Sequence, residues 1–143
     1  MFANLLLGLI VIVVTFLIHA VGLVGMTAIL SRVHLRLGPG TPAADIPTML
    51  MVVVGLFAVL MVEVTVWAAV FTYIGAIGDF TTALYFSTSN FATVGFGDVV
   101  PTHDWRLLAA IEGIGGFLII GWSSAYLVTA SVSMGPFRRG VHF

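Results

Sequence analysis

An all-α membrane protein with three spanning helices and a fourth, half-length helix that enters and returns is the fold class the sequence predicts, on three observations. Of the 143 residues 60% are apolar and only 8% charged, a composition outside the soluble globular range. Residues 3–30, 48–73 and 105–132 form apolar runs, each longer than the roughly 20 helical residues that cross a hydrocarbon core. Between the second and third runs lies a segment, 74–104, too long for a turn, in which Gly, Asp, Thr, Ser and Asn mix with Phe, Tyr and Val.

The first element is a spanning helix over 1–31. Residues 1–4 carry no basic residue and the apolar run is too long for a signal h-region, so the segment is expected to stay in the membrane. Residues 32–47 carry Arg32, Arg36, Gly38, Pro39 and Gly40 and read as a short surface connector. The rest, 48–132, forms one unit: an outer helix over 48–74, a short helix over about 80–91 capped by Asp79 or Thr81, a ribbon over 93–98 and an inner helix over 105–132. Residues 133–143 are left as a tail. Arg32, Arg36, Arg138 and Arg139 fall on one side and Arg106 on the other, which predicts a cytoplasmic connector and tail and an external N-terminus. Trp67, Tyr73 and Trp105 suit either an outer aromatic belt or ordinary packing.

Other classes fall away. Long unbroken apolar runs exclude an outer-membrane barrel. A formal charge of −1, with five Arg and no Lys, leaves no basic patch for nucleic acid, and without Cys there are no disulfides or thiolate metal sites. His19, Glu63 and Glu112 show neither a metal-binding spacing nor an adjacent nucleophile, so the sequence does not predict an enzyme.

A helix of about a dozen residues reaches roughly 18 Å, half a bilayer, and its chain must return. Non-helical backbone at that depth survives only when buried in protein or lining water. The returning stretch is Thr93-Val94-Gly95-Phe96-Gly97-Asp98. Its glycines admit φ > 0, so consecutive carbonyls can turn to one side. One such strand cannot enclose an ion and four copies about an axis can, so the motif predicts a homotetramer as well as a site.

This stretch, with its flanks over about 79–126, resembles the pore region of potassium channels, with Phe96 where that family commonly has Tyr. The resemblance implies a tetrameric pore passing K⁺ passively, with carbonyls of Thr93, Val94, Gly95 and Phe96 as ligands and the permeant K⁺ as the only bound cofactor. Gly97, Asp98, Tyr85 and Glu112 would support the filter. Tyr85 would donate its hydroxyl to Asp98, and Glu112 would accept from Ser87, Ser89 or Asn90. Asn90 and Ala92 stand where the family commonly has Thr or Ser. Gly115 and Gly116 would form a hinge in the inner helix, and Leu118, Gly121, Ala125 and Thr129 a stripe lining a cavity. The dipole of the short helix would favour a cation at its C-terminal end, and Asp79, Asp98 and Asp104 would make an acidic vestibule. The competing readings are a weakly selective monovalent cation channel and a non-conducting membrane subunit. The expected partners are three further copies and membrane lipid, without nucleic acid or soluble substrate.

Two ionisable groups lie deep in the spans, His19 in the first and Glu63 in the second. Isolated charges there are expensive, so the sequence predicts either a direct pair or separate hydrogen bonds within the bundle. No role for the first helix emerges beyond lipid contact and support for Glu63.

Overall fold

The computed structural model describes residues 1–37 and 42–134, and it is helical almost throughout: α1 Phe2–Leu37, α2 Pro42–Tyr73, α3 Phe80–Phe91, a 3₁₀ turn His103–Trp105, and α4 Arg106–Met134. Three of these helices, α1, α2 and α4, are long and apolar enough to cross a membrane. The predicted glycine and proline break at 38–40 and the tail arginines 138 and 139 lie outside the described residues.

The connector is shorter than the 32–47 predicted. Residues 31–37 continue α1, because Arg and Leu are good helix formers and no Gly or Pro follows Gly25 until Gly38. The second helix begins at Pro42, where a ring-fixed φ suits the first helical position, and it runs through Pro47. At 36 residues, α1 is about 54 Å long and exceeds the hydrocarbon core.

Two helix ends set the geometry of the site. The second helix stops in a Schellman motif: Gly75 takes φ +68°, its N–H bonds Thr72 O at 3.1 Å, and Ala76 N–H bonds Phe71 O at 2.9 Å. Thr102 N–H then bonds Ala76 O at 3.1 Å, tying the two loops together. The short helix begins at Asp79, whose carboxylate accepts the Thr82 N–H at 2.9 Å.

The core lies where α3 sits against α2 and α4. Trp67, Phe71, Ala83 and Leu108 are fully buried there. Trp67 stacks on Phe71 at 6.0 Å, and Phe71 meets Phe86 edge-on at 5.4 Å. Trp67 is therefore packing, not an aromatic belt, while Tyr73 is exposed. A Cβ on Gly116 would overlap the Phe91 carbonyl oxygen, so a glycine is what lets α4 touch the end of α3.

The first helix does more than contact lipid and support Glu63. It packs on both α2 and α4 and bonds across at three levels. Asn4 Nδ2 donates to Asp104 O at 3.0 Å while its Oδ1 accepts from Leu108 N–H at 3.1 Å, capping the start of α4. His19 meets Glu63 and Ser123, and Thr27 Oγ1 lies 2.8 Å from the Tyr126 hydroxyl. Polar residues inside apolar runs supply these bonds, and hydrophobic periodicity does not reveal them.

Candidate functional site

The ribbon after α3 begins with a second Schellman exit, this time without glycine. Thr93 takes φ +60°; its N–H bonds Asn90 O and the Val94 N–H bonds Ser89 O, both at 2.9 Å. A β-branched residue at positive φ is disfavoured by about 1–2 kcal/mol and such outliers gather at functional sites. Gly95 follows at φ +59° and Gly97 at φ +79°, with no positive φ at Val94 or Phe96. The sign of φ thus alternates over five residues.

Alternation places successive N–H groups on one side of a strand, and here that side faces α3. Gly95 N–H bonds Ser89 O at 3.2 Å and Phe96 N–H bonds Ser89 Oγ at 3.3 Å, beside the Val94 bond to the same carbonyl. No peptide among the described residues is cis. In a planar trans peptide the carbonyl points opposite to the N–H, so the Thr93, Val94 and Gly95 oxygens face away from α3. Residues 92–98 are all exposed, with Val94 at 56% and Phe96 at 69%. The single chain therefore presents an open row of carbonyls flanked by the exposed side chains of Val94 and Phe96.

Behind the ribbon two contacts brace it. The Tyr85 hydroxyl donates to Asp98 Oδ2 at 2.7 Å, and Tyr85 stacks on Phe96 with ring centroids 6.5 Å apart and planes 8° from parallel. Tyr85 holds the Asp98 carboxyl below its ordinary range, and Asp98 in return raises the Tyr85 phenol. The Asp79 carboxyl is likewise lowered, by Thr82. Two of the three expected vestibule acids are therefore hydrogen-bonded, and Asp104 is exposed.

The second brace is Asn90. Its Nδ2 donates to Glu112 Oε2 at 2.6 Å and to Ala109 O at 2.8 Å, joining the end of α3 to α4. Of the three partners expected for Glu112, Asn90 is the one bonded. Ser89 serves the ribbon, and the Ser87 hydroxyl lies beside the carboxyl without hydrogen-bond geometry. Glu112 is fully buried, so it does not line an open path. Ser89 is the residue that sequence reasoning missed as a ribbon support. Its position four residues before Thr93 is the Schellman acceptor position, which only the Thr93 conformation reveals.

The remaining expected residues separate. The fourth helix is unbroken through Gly115 and Gly116; a Cβ at Gly115 would press on Ile12 at 3.3 Å, and Gly116 serves the contact with Phe91. Both glycines are buried packing positions. Leu118, Gly121, Ala125 and Thr129 share an exposed face of α4.

His19 and Glu63 form a direct pair, Nδ1 to Oε1 at 2.9 Å, both fully buried. Ser123 Oγ lies 3.4 Å from His19 Nε2, an adjacent hydroxyl that the sequence did not indicate. Serine, histidine and carboxylate in this order resemble a hydrolytic triad. All three are buried, however, and Trp122 covers the imidazole with ring centroids 5.1 Å apart. The cluster ties α1, α2 and α4 together. No group of three or more metal-ligating side chains occurs among the described residues.

Searches of curated proteins and of solved structures found no match. A family model described as an ion channel matches residues 59–132, which takes in the C-terminal half of α2, all of α3, the ribbon and nearly all of α4. That match spans just over half of the 143 residues, and it coincides with the part of the molecule that presents the unpaired carbonyl row; the chain belongs to the ion-channel family.

Proposed function

We propose that four copies of this chain form a channel that conducts K⁺ passively, with α3 as a re-entrant pore helix, α2 and α4 as outer and inner helices, and residues 93–98 as the selectivity filter. The observation that carries the reading is the one-sided ribbon: its amides are held by Ser89 and Asn90, and its carbonyls face open space. A dehydrated cation needs oxygens on all sides. Rings of carbonyls from Thr93, Val94, Gly95 and Phe96 supply them in a fourfold assembly and not in a single chain. The same assembly covers the exposed Val94 and Phe96 side chains with neighbouring copies.

The carbonyls act as dipoles, so ions bind well enough to shed water and loosely enough to move on under the transmembrane gradient. Thr93 places its hydroxyl at the inner end. The C-terminal end of α3 adds negative potential where ions dehydrate. The exposed stripe of Leu118, Gly121, Ala125 and Thr129 lines the cavity below. The arginine distribution orients the chain with the N-terminus outside and the connector and tail in the cytoplasm of a cell-membrane protein. No organic cofactor and no soluble substrate enter this mechanism.

The test is current through purified protein in liposomes under opposed K⁺ and Na⁺ gradients. The expected reversal potential lies near the K⁺ equilibrium value, with block by Ba²⁺ and loss of current in Gly95→Ala. Equal permeation of Na⁺ would replace the proposal with the weakly selective channel, whose basis is Phe96, which stacks on Tyr85 but has no hydroxyl to hydrogen-bond, together with Asn90 and Ala92. Absence of current in a tetrameric particle would replace it with the non-conducting subunit.

A further inference from the structure

Beyond the pore, an apolar groove of about 600 Å³ opens between α1 and α2, lined by Gly22, Gly25 and Ile29 on one helix and Leu50, Val54 and Val59 on the other, among others. A second groove continues it toward Leu17 and Val62, sharing Val21, Gly22 and Val59. Every lining residue of both is apolar or glycine, and all lie within the two candidate spans. Residues 17–30 cover about 20 Å of helix, somewhat more than one leaflet of a roughly 30 Å core.

We infer that this groove binds one acyl chain of an anionic membrane phospholipid, whose phosphate is held at Arg32. Three observations select that occupant. The lining comes from α1 and α2 alone, so the groove is separate from the ribbon and from the exposed stripe of α4 assigned to the cavity. Ile29 is followed at i+3 by Arg32, which is exposed, so the stripe of Gly22, Gly25 and Ile29 ends in a free guanidinium at the end of the span. The acid at the matching end of α2, Asp45, is buried and does not line the groove. A guanidinium beyond an apolar trough is complementary to a phosphate beyond an acyl chain.

The glycines show which part of the groove is open by construction. A Cβ on Gly22 would press on Val59 at 2.7 Å, and one on Gly55 would overlap the Met26 sulfur, so these two serve helix contact. A Cβ on Gly25 would meet nothing within 4 Å, although Gly25 lines the trough. Gly25 therefore leaves empty space, and a larger side chain there fills the site without disturbing the pair of helices.

The experiment uses the full chain extracted in mild detergent and mixed with phosphatidylglycerol or phosphatidylcholine, reading retained lipid per chain by native mass spectrometry and the thermal midpoint. Wild type and Val24→Leu, an exposed position outside the groove, are expected to retain phosphatidylglycerol preferentially and to gain thermal stability from it. Gly25→Leu is expected to lose retention of both lipids, and Arg32→Gln to lose only the preference for the anionic one. Should Gly25→Leu fail to fold, the Arg32→Gln arm still decides. Unchanged retention in Gly25→Leu, or unchanged preference in Arg32→Gln, would overturn the inference, as would efficient disulfide formation between a chain carrying Gly25→Cys and one carrying Val54→Cys. The readout is lipid and not current: a failure of the K⁺ proposal leaves it standing, and its own failure leaves the channel untouched.

Discussion

Two polar regions of this molecule lie among apolar helices, and they are handled in opposite ways. At the junction of α1, α2 and α4, His19, Glu63 and Ser123 close on one another and are sealed from every side. In the ribbon after α3, the amides are bonded within the chain while the carbonyls are left open and exposed. Buried polar groups require partners in either case. The junction finds them within one chain for all but Glu63 Oε2 and acts as structure. The ribbon finds half of them, and the missing half must come from outside, which is where an ion and neighbouring copies enter the proposal.

The largest expected effect is on the open region. Gly95→Ala and Gly97→Ala place a Cβ at φ +59° and +79° without any steric neighbour, so only the backbone preference changes, by about 1–2 kcal/mol per site. Conduction is expected to be lost while circular dichroism shows unchanged helix content. Retention of wild-type selectivity would mean that the carbonyl row is not the path.

At the sealed region the effect is on stability. His19→Leu leaves Glu63 buried without a mate, Glu63→Leu leaves His19 only the longer Ser123 contact, and each is expected to cost about 3–5 kcal/mol. The double variant should cost clearly less than the sum of the two. Reversible unfolding in mixed micelles measures it; strict additivity would show that the contact carries no coupling. Gly116→Ala tests the seam between the two regions. Its Cβ meets the Phe91 carbonyl, and a loss of about 1–3 kcal/mol is expected together with impaired conduction, since α3 must shift.

The smallest effect concerns pH. The Tyr85 hydroxyl lowers the Asp98 carboxyl, so the brace is present above the ordinary carboxylate range and is lost only as pH falls through the lowered value. Tyr85→Phe removes the main cause, and Asp98 is expected to titrate at higher pH than in wild type. Carboxyl chemical shifts followed through an acid titration read this directly; an unchanged midpoint would remove the brace from the account.

The three spans were legible because their apolar runs exceed anything a soluble fold uses. The short helix was legible from Asp79 and from the Gly-rich stretch that follows it. Helix ends were misread at 31 and 48 because the sequence places its breakers between 38 and 47 and the arginines and alanines around them favour helix. The role of α1 was not legible, since Asn4, Thr27 and Ser123 are isolated polar residues whose partners lie about 100 positions away. The Tyr85 contact with Asp98 was foreseen from the family resemblance. Ser89 was not foreseen as a ribbon support because its function depends on Thr93 taking a conformation that Thr rarely adopts.

The central claim is that four copies of residues 93–96 surround a desolvated K⁺. An experimental structure of the purified particle in K⁺-rich solution tests it most directly. The account predicts four chains about one axis, with a file of ion density bounded by the Thr93, Val94, Gly95 and Phe96 carbonyls. A particle of any other copy number, or a fourfold one whose ribbons stand apart with no density between them, would contradict it.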